Sequence, residues 1–196
     1  MGGRAGGGAR MGTLGGDTTY KGEIKNVESL INMRDPAMYK AAKEAISNFA
    51  AKLGVPERNV KLADLEGNVM GIGGEGAVYL NKKYFNMSAK DFAKTMKQNY
   101  DSGHLTKTNK PLAHVINHEL AHAAWQITNN TPKANAAKKE IQKLYQSWSK
   151  AGGKGYGKYA KSNIDEFWAE VSTKAAHGTA DQYTKVAKAI YKKYKL

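Results

Sequence analysis

Apolar residues recur at helical spacing over most of this 196-residue chain. In the stretch 36–53, alanines and large apolar residues return every three or four positions, which is typical of an amphipathic helix. Asp35-Pro36 precedes this stretch and Gly54 follows it, and these residue types favour a helix start and a helix end. The same signals predict further helices from Ser88, over 111–127, from Pro132, over 164–177 and over 181–194.

Two shorter stretches alternate apolar and polar residues in the way that strands do. They are residues 59–65 and 77–80, and the glycine-rich stretch 67–76 between them is predicted to be a turn region. Both stretches precede the helix over 111–127. The pattern therefore predicts an α+β domain that is mostly helical, with a small sheet before that helix.

The first residues differ from the rest of the chain. Residues 1–16 are rich in glycine and arginine, contain no acidic residue and offer almost nothing to bury. We therefore expect a flexible N-terminal segment over residues 1–20 and a single domain over residues 21–196, a length that suffices for one hydrophobic core.

Composition excludes several kinds of site. The chain has no cysteine, so disulfides and thiolate metal sites are excluded, and a metal would have to be held by nitrogen and oxygen atoms. No apolar run approaches the length of a membrane span, and the N-terminus lacks the apolar region of a signal peptide. We expect a protein with no membrane span and no visible export route, hence a cytoplasmic location.

The chain is also strongly basic. It has 31 lysines and arginines against 17 aspartates and glutamates, a net charge of +14, and many of the lysines follow residue 132. One interpretation is a solubilising surface on amphipathic helices. The other is attraction to nucleic acid, to an acidic protein or to an anionic surface. No recognisable nucleic-acid module accompanies the charge, so the charge does not choose between them.

The helix over 111–127 contains the sequence His118-Glu119-Leu120-Ala121-His122. Residues four apart lie above one another on a helix, so both imidazoles can reach one metal ion. Glu119 lies beside them, near enough to take a proton from a water molecule on the metal. His114 lies one turn earlier, and we interpret it as a residue behind the ligands or in a groove. The alternative is a set of structural histidines, whose ring nitrogens would then all need other partners.

A catalytic zinc site needs a third protein ligand and keeps one position open. Glu166, near the start of the helix over 164–177, is the candidate. The same glutamate stands three residues after Asn163 and also fits a capping box, in which its carboxylate would bind the helix end instead. Spacing alone leaves both interpretations open.

A resemblance bears on this choice. Residues 159–170 contain a tyrosine, six intervening residues, a glutamate, an aromatic pair, an alanine and a second glutamate. This order resembles the second motif of the anthrax lethal factor-like metallopeptidases, whose relatives include the clostridial Pro-Pro endopeptidases. Residues 79–85 and 106–111, followed by the H-E-x-x-H helix, also resemble small metallopeptidase-like domains attached to phage head-morphogenesis and minor capsid proteins. The resemblance covers residues 59–196 and is strongest at the two motifs.

The resemblance implies a zincin fold and a zinc endopeptidase. It implies three ligands for Zn²⁺: His118, His122 and Glu166. Glu119 would be the general base and then the acid, and Tyr159 would donate its hydroxyl to the oxyanion. Glu170 would support an imidazole from behind. The resemblance also implies an association with a phage or another mobile element, as an effector, a toxin or a processing protease, and hence a virion as a second possible location.

The strand before the metal-binding helix is commonly an open sheet edge in zincins, to which an extended peptide adds by main-chain hydrogen bonds. Residues 77–81 are the candidate edge strand, with Ala77, Val78 and Tyr79 as candidate substrate-binding residues. The alternative is a strand that pairs inside the sheet.

Two functions from different classes remain open at this point. The first is a zinc-dependent endopeptidase acting on a protein or peptide substrate, and the basic charge of the chain favours an acidic one. The second is a non-enzymatic basic protein that retains a zincin fold and associates with a phage structural protein, a virion or nucleic acid.

Overall fold

The structure is a computed structural model that describes residues 10–13, 20–74, 77–127 and 131–196. The strands are β1 (Arg10–Thr13), β2 (Ile24–Ser29), β3 (Asn59–Leu65), β4 (Val69–Gly74) and β5 (Ala77–Asn81). The helices are α1 (Pro36–Leu53), α2 (Lys82–Phe85), α3 (Ala89–Asp101), α4 (Pro111–Ile127), α5 (Pro132–Lys150), α6 (Ile164–Ala176) and α7 (Gln182–Tyr194). This confirms the α+β class, mostly helical with a small sheet before α4.

The sheet is mixed. Four strands between residues 24 and 81 lie in the order β4-β5-β3-β2, and β1 extends the sheet beyond β4. β4 and β5 are antiparallel, as are β2 and β3, whereas β3 with β5 and β1 with β4 are parallel. The face turned to the helices carries four buried apolar residues of the main core: Val60, Leu62, Val78 and Leu80. The other face carries a smaller cluster: Ala63, Leu65 and Ile72.

β4 lies directly against α4, and its glycines make this approach possible. A Cβ atom at Gly73 would lie 1.9 Å from the carbonyl oxygen of Glu119, and one at Gly71 would lie 2.9 Å from Glu119 Cγ. A larger residue at Gly73 would therefore push the strand away from the helix. The prediction of a turn over residues 67–76 is wrong for residues 69–74, because the glycines that usually weaken a strand are here required by the close backbone contact.

β5 lies inside the sheet, hydrogen-bonded to β3 on one side and to β4 on the other. The prediction of an open edge strand over residues 77–81 is therefore wrong. Ala77, Val78 and Tyr79 cannot offer a main-chain edge to a peptide, and Val78 is buried. The physical reason is that residues 69–74 form a strand and occupy the position beside β5.

The N-terminal segment contributes a strand to this sheet. Residues 10–13 form β1, so the prediction of a flexible segment over residues 1–20 is wrong for these four residues. Residues 1–9 and 14–19 of that range lie outside the described residues, and Tyr20 at its end is hydrogen-bonded to Glu23 and Glu66. Beyond it, one main hydrophobic core includes residues from Leu30 to Leu196.

Side-chain caps fix where the helices begin. Asp35 accepts hydrogen bonds from the first turn of α1, and Ser88 and Asn163 do the same for α3 and α6. α4 contacts β4 on one side and α1 and α6 on others. Because it lies in the middle of the domain, nearly all its described residues are buried or half-buried. Within the described ranges, no helix combines the length and the apolar character needed to cross a membrane.

Candidate metal centre

Three ionisable side chains meet where α4 passes α6. His118 and His122 come from successive turns of α4, and Glu166 comes from the first turn of α6. The Nε2 atoms of the two histidines are 3.0 Å apart, and Glu166 Oε2 lies 2.9 Å from His118 Nε2 and 3.4 Å from His122 Nε2. All three side chains are buried. This group, the inner triangle, could hold a metal ion.

The size and chemistry of the inner triangle fit zinc. Zinc binds imidazole nitrogen and carboxylate oxygen at about 2.0–2.2 Å, which places tetrahedral ligand atoms roughly 3.3 Å apart. The observed separations of 2.9, 3.0 and 3.4 Å are close to that value. Two imidazole nitrogens that face each other also compete for one carboxylate oxygen. A cation between them would satisfy all three atoms at once.

The start of α6 places Glu166. Asn163 Oδ1 accepts the backbone N–H of Glu166 at 2.9 Å and so caps the helix. The carboxylate of Glu166 is turned towards the two histidines, and its Oε1 accepts a hydrogen bond from Tyr159. The capping interpretation is therefore right for Asn163, while the Glu166 carboxylate belongs to the inner triangle.

Glu119 is buried on the same stretch of α4 and lies against β4. A Cβ atom at Gly71 would intrude on its side chain, so the glycine leaves the space that Glu119 Cγ occupies. Burial has the largest influence on the pKa of each neighbour, lowering that of His118 and raising that of Tyr159. The charge of Glu119 acts to raise both pKa values. The Glu119 carboxylate is thus near a candidate ligand and near the phenol.

Tyr159 approaches from a short 3-10 turn, Lys158–Lys161. Its hydroxyl donates to Glu166 Oε1 at 3.0 Å, and its ring stacks on His118 with 5.7 Å between centroids. Its backbone N–H donates to the carbonyl of His104 at 2.8 Å, which fixes the turn. Burial and then the charge of Glu166 raise the pKa of Tyr159, so the phenol keeps its proton and remains a donor.

A second group, the outer cluster of His114, His118 and Glu170, lies behind the inner triangle. Glu170 Oε1 is 3.0 Å from His114 Nε2 and 3.3 Å from His118 Nδ1, and Glu170 Oε2 accepts the Thr106 backbone N–H at 3.1 Å. The Tyr100 hydroxyl lies 3.3 Å from His114 Nδ1. Because an ionised carboxylate only accepts, His118 donates from Nδ1, which turns its Nε2 to the inner triangle.

Charges in the two groups depend on one another. Burial alone would lower the pKa of His118, but its hydrogen bonds to Glu166 and Glu170 outweigh burial and raise that pKa to about 10. Burial lowers the pKa of His122. Burial would raise the pKa values of both glutamates, yet the neighbouring histidines hold them below the usual range. As long as no metal is bound, a proton on His118 therefore supplies the positive charge between two carboxylates.

The structure thus brings together the motif residues and leaves out the three strand residues 77–79. It also adds Tyr100 and Thr106, which the sequence did not single out. Tyr100 lies at helical spacing after Phe92 and Met96, a pattern that predicts core packing. Nothing local in the sequence indicates that its hydroxyl meets His114 on another helix, and the Thr106 contact is made by the backbone.

Comparisons of the chain with protein-family models, with curated proteins and with solved structures found no match. Function is therefore inferred from the geometry of the candidate metal centre and from the sequence motifs.

Proposed function

We propose that this protein is a zinc-dependent endopeptidase that hydrolyses a peptide bond with an activated water molecule. The observation that supports it most is the meeting of two imidazole nitrogens and a carboxylate oxygen in the inner triangle. A second buried carboxylate and a protonated phenol adjoin this triangle. Ligands, base and oxyanion donor are the parts that metal-assisted hydrolysis of an acyl group requires.

A zinc ion held by the inner triangle would polarise the scissile carbonyl and lower the pKa of a water molecule towards neutrality. Glu119 is the group placed to accept the proton of the attacking water and to pass it to the leaving amine. Its carboxylate is near His118, and β4 lies against both Glu119 and His122. These positions support the role that the motif predicts for Glu119.

Tyr159 is placed to stabilise the negative charge that develops on the substrate oxygen. Its hydroxyl is held at the inner triangle by Glu166 Oε1, 3.0 Å away. As charge builds on the substrate oxygen, this hydroxyl can donate to that oxygen instead. Loss of such a donor typically costs about a hundredfold or more in rate.

A protein or peptide is the substrate class that the fold favours. The strand β4 rests on the metal-binding motif, so an extended chain that paired with β4 in place of β1 would run beside the site. The net charge of +14 favours an acidic substrate. Association with a phage or another mobile element stays a prediction of the family resemblance.

The test uses purified protein supplied with zinc and a library of peptides from a digested proteome, with cleavage products read by mass spectrometry. We expect cleavage that 1,10-phenanthroline abolishes and added zinc restores. The Glu119→Gln variant keeps the shape of the side chain and removes the base. It should retain about one zinc per chain and lose cleavage by roughly a hundred- to ten-thousandfold.

The matched control is Glu140→Gln, which removes a carboxylate on α5 that pairs with Lys193. It should leave zinc content and cleavage unchanged. Full cleavage by Glu119→Gln would contradict the role of Glu119. Tight zinc binding without cleavage of any library peptide by the unaltered protein would contradict the endopeptidase and favour a basic binding protein, whose salt-dependent retention on DNA could then be measured.

A further inference from the structure

We propose that β1 occupies the peptide-binding edge of the sheet, so that the protein's own N-terminal strand competes with substrate for the metal centre. The consequence for substrate entry rests on the proposed function. The occupancy of the edge by β1 does not rest on the proposed function, because it concerns only which strand pairs with β4. The occupant is a segment of this chain, residues 10–13.

The register places β1 beside the motif. Thr13 is the partner of Gly73, and Gly12 is the partner of Ile72. Gly73 is the residue of β4 whose Cβ would meet the Glu119 carbonyl oxygen at 1.9 Å and His122 Cβ at 3.0 Å. The backbone of β1 also approaches α4 itself. The end of β1 therefore lies level with the part of α4 that carries Glu119 and His122.

Distance favours the position of β1 over any position farther out. Neighbouring strands lie about 4.8 Å apart, so a segment paired with β4 is one strand spacing from Gly73, whereas a segment added outside β1 is two spacings away. A peptide bond must come within contact of the inner triangle to be hydrolysed. The position that brings a main chain closest along this sheet is the one that β1 takes.

The pairing of β1 is of a kind that can be displaced. The strand has only four residues, and its register shifts between Arg10 and Gly12. An irregularity of this kind interrupts the ladder of hydrogen bonds. β1 also runs parallel to β4, and parallel pairing is slightly less stable per residue than antiparallel pairing. A longer peptide that pairs antiparallel with β4 could therefore replace β1.

The experiment measures strand competition in a protein that cannot hydrolyse the probe. All proteins carry Glu119→Gln. The probe is a fluorescein-labelled peptide with the sequence of residues 9–14, Ala-Arg-Met-Gly-Thr-Leu, and binding is read by fluorescence anisotropy. One protein carries Met11→Pro and Gly12→Pro. The two prolines remove the backbone N–H groups of residues 11 and 12, so β4 loses whichever donor these residues offer it. The matched control carries Met11→Ala and Gly12→Ala, which keep both donors.

We expect the proline variant to bind the peptide at least about tenfold more tightly than the alanine variant, because the edge is then vacant in most molecules. Equal affinities in the two variants would overturn the inference. Cleavage within residues 10–13 by the protein with an intact Glu119 would also overturn it, since β1 would then be a substrate rather than a competitor. A tenfold difference without any peptidase activity would leave the strand competition standing and refute the proposed function alone.

Discussion

The inner triangle and the outer cluster contain the same kinds of residue but differ in what their polar atoms meet. Each has two histidines and one glutamate, and they share His118. In the outer cluster, Glu170 meets three N–H groups and His114 is bonded at both ring nitrogens. In the inner triangle, the nitrogens of His118 and His122 face each other at 3.0 Å.

This difference assigns the two groups different tasks. A carboxylate whose oxygens already meet donors gains little from a metal ion, and it orients the imidazoles that donate to it. Two imidazole nitrogens turned to each other can share one proton or, once that proton is displaced, one metal ion. Two groups of identical composition would therefore act as a support and as a metal site, and the surroundings decide which is which.

The largest loss of zinc affinity is expected from substitutions in the inner triangle. Glu166→Gln removes the charged ligand and should weaken zinc binding by about a thousandfold, because one of three ligands then no longer contributes several kcal/mol. Zinc affinity measured by competition with a chromophoric chelator checks this. Asp165→Asn, the neighbouring acidic residue on α6, is the matched control and should bind zinc almost normally. Equal weakening in both variants would mean that net charge, not ligation by Glu166, holds the metal.

Substitutions in the outer cluster should weaken zinc binding less than those in the inner triangle. Glu170→Gln removes the common acceptor of His114 and His118, and substitutions behind metal ligands typically cost about ten- to a hundredfold in metal affinity. The variant should still bind one zinc per chain. His177→Gln, a histidine beside His114 that lies outside both groups, serves as the control. A loss as large as that of Glu166→Gln would show that Glu170 is itself a ligand and would reverse the assignment.

The pH dependence of zinc binding sharpens the comparison, because His118 belongs to both groups. Its pKa is raised to about 10, so below that pH zinc must displace one proton, and affinity should rise about tenfold per pH unit. His122 and Glu166 have lowered pKa values and release no proton in the neutral range. Chelator competition between pH 6 and 8 measures the slope.

Glu170→Gln offers a second measurement of the same dependence. It removes one of the two carboxylates that are hydrogen-bonded to His118 and favour its protonated form. The rise of zinc affinity with pH should therefore level off at a lower pH in this variant. A zinc affinity that does not vary with pH in the unaltered protein would contradict the proton on His118.

Sequence reasoning predicted the helices well and the sheet poorly. Caps, prolines and apolar spacing predict α1, α3 and α4. In the structure these helices begin at the predicted residue or one residue later. β4 was not predicted, because its glycine-rich sequence, Val-Met-Gly-Ile-Gly-Gly, is typical of a turn. Its strand conformation depends on contact with α4, which no local pattern reveals. The prediction of an open edge at residues 77–81 was wrong for the same reason.

At the site, helix spacing predicts that His118 and His122 can reach one metal ion, because residues four apart share a helix face. Spacing left the role of Glu166 open, and only the family resemblance made it a ligand. Local patterns do not predict contacts between elements far apart in the chain. The spacing of Tyr100 predicts a core residue of α3. The Thr106 contact is made by its backbone N–H, which any residue type except proline would supply, so the sequence does not indicate it.

The smallest effect is expected at the far end of the outer cluster. Tyr100→Phe removes only the hydroxyl that lies 3.3 Å from His114 Nδ1, and its influence must pass through His114 and Glu170 before it reaches His118. A neutral hydrogen bond contributes about 0.5–1.5 kcal/mol, so zinc affinity should fall by roughly two- to tenfold at most. Tyr145→Phe, a half-buried tyrosine packed on Trp148, is the control for general loss of packing. If the two variants bind zinc equally well, Tyr100 does not help to orient the metal ligands and contributes only to core packing. If Tyr100→Phe is the weaker of the two and His118 shows altered imidazole NMR shifts, the hydroxyl orients the ligand through two intervening side chains.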